Sequence, residues 1–225
     1  MRLQSKVLSS RRALAGILLF APLLIPALAG RADVTPAQKA EAAKLNNFGT
    51  ALMNQQLLDK AQAKFGEAYE LDPSLVKAEV NRGIALIYLQ KMPEAKQALE
   101  HAATQNAKDP HIWYALGILH RIDAEYPQAL ESFQKAAALV PDDADTHYFI
   151  GSVYLELHQP DQALTEFQTA LRLNPIHASA QFGLAKVLQR LGRRDEATTA
   201  FKRFETLNQE KIGRASCRER VFSSV

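Results

Sequence analysis

Small and apolar residues recur along this chain in two registers, three to four residues apart within a segment and 34 apart between segments. Gly49, Gly83, Gly117, Gly151 and Ala185 form one column of the longer period. Twelve residues on lie Ala61, Ala95, Ala129, Ala163 and Ala197, and four further on lie Phe65, Leu99, Phe133, Phe167 and Phe201. A fourth column runs Ala68, Ala102, Ala136 and Ala170 and is broken by Phe204. Within one copy the spacing is helical. Trp113, Leu116, Gly117 and His120 share one helix face, and Ala129, Phe133, Ala136 and Ala137 share another. Polar turns separate the two helices, at residues 123–127, 90–93, 158–161 and 192–195. Proline in these turns suits the first turn of the second helix, where its missing N–H has no partner to lose. Pro73, Pro141 and Pro175 stop that helix, and Asp72, Asp142 and Asn174 beside them suit turns and caps. Each copy is therefore predicted to be a helix–turn–helix hairpin in a stacked repeat array. A glycine inside a helix costs about 1 kcal/mol against alanine. Four at one phase imply close helix approach, with the phenylalanine expected to fill the gap between neighbouring hairpins.

These residues resemble the tetratricopeptide repeat, whose pattern runs Trp-x-x-Leu-Gly-x-x-Tyr, then Ala-x-x-x-Phe-x-x-Ala, then Pro. Copy three keeps Trp113, Leu116, Gly117, Ala129, Phe133, Ala136 and Pro141, with His120 at the tyrosine position. Copy four keeps Ile150, Gly151, Tyr154, Ala163, Phe167, Ala170 and Pro175. The expected fold is all-α, a right-handed α-solenoid of about five tetratricopeptide helix–turn–helix repeats over residues 42–209. The copies run 42–75, 76–109, 110–143, 144–177 and 178–209, with 30–41 leading into the first helix.

The resemblance implies a non-enzymatic protein- or peptide-binding scaffold whose first helices line a concave groove. Three columns of those helices are Asn46, Val80, Tyr114, Tyr148 and Phe182; Thr50, Ile84, Ile118, Ser152 and Lys186; and Asn54, Tyr88, Ile122, Glu156 and Arg190. The groove set drawn from them is Tyr88, Tyr114, Ile118, Tyr148, Phe182, Lys186 and Arg190. Its apolar and aromatic middle suits a protein or peptide segment bearing apolar or aromatic side chains, because rings give large contact area at low entropy cost. The other reading is that some of these rings fill seams between hairpins. Some family members hold a C-terminal carboxylate in a clamp that includes lysine. Asn46, Thr50, Val80 and Asn81 lack it, so that ligand is not expected.

The two ends follow other patterns. Arg2, Lys6, Arg11 and Arg12 precede an apolar run from Ala13 to Ala29, with small-residue cleavage positions near Ala29 and Ala32. This predicts a signal peptide over 1–29, periplasmic or secreted localisation and no membrane association after cleavage. An uncleaved anchor is the alternative, and Pro22 and Pro26 count against it. Residues 212–221 match an in-frame translation of a common sequencing adapter (ATCGGAAGAGCGTCGTGTAGGGAAAGAGTG), so 212–225 are read as non-native. Residues 44–54 and 144–149 look similar to bacterial secreted proteins that join such repeats to an FG-GAP-type β-propeller. That likeness implies an alternative, the N-terminal interaction module of a longer secreted β-propeller protein or enzyme.

Composition changes the picture once the ends are set aside. The chain carries 27 Lys+Arg against 24 Asp+Glu, a formal net charge of +3. Four of the basic residues lie in residues 1–29, and residues 212–225 hold three basic and one acidic residue. The body of 30–211 keeps 20 basic against 23 acidic, so no nucleic-acid partner is expected. Cys217 is the one cysteine and lies in the suspect tail, which leaves the body without disulfides or thiolate metal ligands. His101, His111, His120, His147, His158 and His177 are scattered without metal-ligand spacing. His120 and His147 are expected to be packed or hydrogen-bonded. Asp142, Asp143 and Asp145 open a helix and suit capping rather than cation binding. No cofactor, metal or catalytic constellation is expected, and the oligomeric state is not legible.

Overall fold

A computed structural model describes the backbone of residues 33–222 and the side chains of residues 33–211. The chain divides into Met1–Asp33 and Val34–Val225. The signal-peptide reading of 1–29 lies outside the described residues, as do the side chains of the 212–225 adapter reading.

Ten helices follow one another, with no strand among the described residues. They pair as hairpins α1 (Pro36–Asn54) with α2 (Leu58–Leu71), α3 (Val76–Tyr88) with α4 (Met92–Gln105), and α5 (Pro110–Ile122) with α6 (Tyr126–Leu139). Then come α7 (Ala144–Glu156) with α8 (Pro160–Leu173), and α9 (Ala178–Arg190) with α10 (Arg194–Phe222). Each second helix packs on the first helix of the next hairpin, giving the expected α-solenoid of five repeats. No helix among the described residues is long and apolar enough to cross a membrane.

Local chemistry sets the helix ends. α1 starts at Pro36, inside the segment read as its lead-in, because Thr35 and Gln38 form a reciprocal capping box. The Asp109 carboxylate accepts from the His111 N–H at 2.9 Å, and Asp143 accepts from the Thr146 N–H at 3.0 Å. Asp143 thus caps α7, the capping role expected of that acidic run. The turn inside each hairpin needs one residue at positive φ: Gln56, Gln90, Ala124, His158 and Gly192. These again lie 34 apart, but only the last is the residue type that takes this conformation without a Cβ clash.

The core is a row of plugs. Phe65, Leu99, Phe133 and Phe167 are all but fully buried. A Cβ added to Gly49, Gly83 or Gly117 would lie 2.6, 2.7 or 2.6 Å from Phe65, Leu99 or Phe133 of the same hairpin. These three plugs therefore seat against their own hairpin's glycine, whereas Phe167 sits in the inter-hairpin gap expected from the sequence, nearer to Gly183 of the next hairpin (2.4 Å to a Cβ placed there) than to its own Gly151 (3.0 Å). The next hairpin closes its other side. Phe149 stacks on Phe133 with ring centroids 5.3 Å apart, and Gly183 faces Phe167. The last plug, Phe201, has no following hairpin among the described residues and is half-buried, and alanine (Ala185) replaces glycine beside it.

Candidate functional site

Apolar side chains at helical spacing on α3 and α5 leave an open groove of about 740 Å³ on the face made by first helices. Ile84, Ile87 and Tyr88 come from the end of α3, and Gln90 and Met92 from the turn into α4. Tyr114, Ala115, Ile118 and Ile122 come from α5, where Tyr114, Ile118 and Ile122 stand four residues apart in one row. Phe149 of α7 closes the far wall. Tyr88 is 66% exposed and Ile122 46%, a combination of large apolar side chains that a folded array without a partner has no packing reason to present together.

Of the seven residues picked from the sequence, Tyr88, Tyr114 and Ile118 meet in this groove. Tyr148 does not line it. Its ring lies 4.9 Å from Phe149, 6.1 Å from Phe167 and 5.1 Å from His177, in the seam between hairpins four and five. Phe182 packs with Phe201 and Phe204 on the last hairpin, and Lys186 Nζ sits 5.6 Å from its ring centre. Arg190 donates to the Leu155 carbonyl oxygen at 2.7 Å, across the seam from α9 to α7. Groove and seam are thus both occupied by members of the same columns. Ile87, Met92 and Phe149 are groove residues that the three columns missed. The Phe149 column runs Asn47, Asn81, Ala115, Phe149 and Gly183, and so carries no consistent residue type to flag it.

Tyr114 holds the middle of the groove. Its ring packs edge-on against Phe133 and Phe149 at 5.8 and 5.6 Å. Burial, followed by the negative charges of Asp145 and Asp143, pushes its hydroxyl above the ordinary tyrosine range, so it stays protonated as a donor. Arg121 lies over Phe149 at 5.2 Å and braces that ring from behind.

Several polar residues elsewhere pair within the array. Asn81 donates to Asn46 at 2.9 Å across the first seam, so the columns that a carboxylate clamp would use are paired with each other. His120 Nδ1 lies 2.6 Å from Glu125, and that contact, with Lys96 beside it, holds the Glu125 carboxyl below its usual range. His147 lies between Glu166 at 2.6 Å and the Pro141 carbonyl oxygen at 3.0 Å.

The comparisons with known proteins agree with this architecture. A tetratricopeptide-repeat family model matches residues 148–210, and a TPR repeat model matches 125–158. No protein of curated function matches by sequence. Among solved structures, pilF of Pseudomonas aeruginosa is similar with a TM-score of 0.71 at 19% identity, covering 76% of this chain and 78% of its own. MamA from Desulfovibrio magneticus gives a TM-score of 0.68 at 19% identity, covering 76% and 96%. YrrB, described as a TPR protein with an unusual peptide-binding site, gives 0.61 at 22% identity, covering 80% and 93%. Family models over the later repeats, and the same hairpin repeated from Pro36 onward, show that this chain has the tetratricopeptide-repeat α-solenoid fold.

Proposed function

We propose that this chain is an exported scaffold that binds a protein or peptide segment through the groove between α3, α5 and α7. The observation that carries the reading is the groove itself, a space of about 740 Å³ with a mainly apolar lining in which Tyr88 and Ile122 are exposed. Its repeat family is generally a non-catalytic platform for protein interaction, and YrrB, of similar fold, is described as having a peptide-binding site. The ligand chemistry follows from the lining: isoleucine, methionine and aromatic rings favour a segment that offers apolar or aromatic side chains.

The test is to pan the full chain with a random dodecapeptide display library and titrate selected peptides by fluorescence anisotropy. Tyr88→Ala is expected to weaken binding by about 2 kcal/mol if the ring is an anchor. It should leave the melting temperature unchanged, because the side chain is mostly in solvent. Unaltered affinity in that variant would place the ligand elsewhere.

Export rests on the basic start and apolar run of residues 1–29. Expressed with its native start in a bacterium, the protein is expected in the extracytoplasmic fraction with an N-terminus just after Ala29 or Ala32. Edman sequencing that still reads Met1 in that fraction would favour the uncleaved anchor instead.

A further inference from the structure

Tyr114 borders two cavities. Beyond it from the apolar groove, a second space of about 350 Å³ opens between the start of α5, the end of α6 and the start of α7. Its walls include Pro110, His111, Val140, Asp143 and Asp145, and no lysine or arginine lines it. Asp143 uses one carboxylate oxygen, Oδ2, to cap α7 through Thr146, which leaves Oδ1 free for another donor. Asp145 has a 66% exposed side chain, with one oxygen 2.9 Å from His177 Nε2. No hydrogen bond to the Tyr114 hydroxyl is seen among the described residues. The arrangement is an apolar groove and a negatively charged pocket that share Tyr114 as a wall.

We propose that the segment held in the groove carries a lysine or arginine, and that this cation enters the second cavity against Asp143 and Asp145, with the Tyr114 hydroxyl as a further acceptor. The inference rests on the groove reading above and adds the charge of the ligand to it. The helix that both cavities share gives a spacing to look for. From Ile118 in the groove to His111 in the pocket is seven residues of helix, about 10 Å at 1.5 Å per residue. An extended peptide rises about 3.3 Å per residue. A basic residue about three positions from the apolar anchor spans that distance.

The experiment uses peptides selected from the dodecapeptide library on the full chain. The selected set is expected to be enriched in a lysine or arginine three positions from an apolar or aromatic residue. Replacing that lysine by norleucine should weaken binding about three- to fivefold, the yield of a partly solvated ion pair, and glutamate should weaken it further. High salt should narrow the difference. Asp145→Lys should reverse the preference toward glutamate. Asp145→Asn should weaken it, with Asp143 still charged, and serves as the second variant if circular dichroism shows that the lysine form is unfolded. Tyr88→Ala should weaken the lysine, norleucine and glutamate peptides alike. Equal binding of lysine and norleucine peptides that still depends on Tyr88 would overturn the cation site and leave the groove. A lysine preference untouched by both Asp145 variants would do the same. No selected binder, or binders indifferent to Tyr88, would overturn the groove and the cation site together.

Discussion

Phe167→Ala is expected to destabilise the array by about 3–5 kcal/mol, the cost of emptying a buried aromatic site that collapses only in part. The ring is 1% exposed and wedged between Gly151 of its own hairpin and Gly183 of the next. Glycine backbone stands on two sides of the vacated space, and Tyr148 and the leucines of the same cluster can fill it only in part. In a repeat array each hairpin is held only by its neighbours, so the loss is local first. The fifth hairpin should lose amide hydrogen-exchange protection before the first three, and urea unfolding followed by circular dichroism should broaden or split. Tyr148→Ala is the informative companion. Its ring spans the same seam, against Phe149, Phe167 and His177, but is only half-buried. A loss of about 1–3 kcal/mol is expected, with little change in peptide affinity. If Tyr148→Ala instead left stability intact and weakened binding as Tyr88→Ala is expected to, the ring would belong to the binding face.

The architecture was legible because its cause is periodic. A 34-residue repeat must present the same plug, the same small partner and the same turn in every copy, and each of those leaves a column in the sequence. The site is not periodic, which is why the columns resolved it only in part. They grouped Tyr88, Tyr114 and Ile118 with Tyr148, Phe182 and Arg190 as if every copy offered the same surface. The copies differ in what stands two residues before the glycine column: Ala115 in hairpin three, Phe149 in hairpin four and Gly183 in hairpin five. Phe149 fills the seam over Phe133 and also walls the groove. At Gly183 the absent side chain leaves Phe167 room on the seam instead. Arg190 shows a different limit. A long cation on a first helix suits a groove rim, yet its guanidinium satisfies the Leu155 carbonyl across the seam. No spacing argument foresees a hydrogen bond between repeats. The positive-φ turn residues were hidden for a third reason: four of the five are side-chain-bearing residues held in that conformation by the hairpin.

Gly183→Ala tests the plug from the opposite direction. In an exposed helix this change should help by about 1 kcal/mol, since alanine is the better helix former. At this position the new Cβ would lie 2.4 and 2.5 Å from Cε1 and Cζ of Phe167. Retreat of the ring is limited by the Gly151 backbone on its other side, where even a single Cβ would stand only 3.0 Å from it. Overpacking of a filled core costs about 1–3 kcal/mol, so the net expectation is a loss of about 0–2 kcal/mol once the helix gain is subtracted. Gly66→Ala is the control. It lies in α2 with its nearest non-local atoms, on the Arg82 side chain, 3.9 Å away, and should stabilise by about 0.5–1 kcal/mol. The decisive measurement is a double-mutant cycle in urea. In a Phe167→Leu background the branched side chain vacates the ring edge, so Gly183→Ala should lose most of its penalty and the two changes should couple. Additive effects, or a Gly183→Ala protein as stable as Gly66→Ala, would mean that Phe167 does not wedge the fourth and fifth hairpins together. The account of the glycine column as space for a buried plug would then fail at its tightest point.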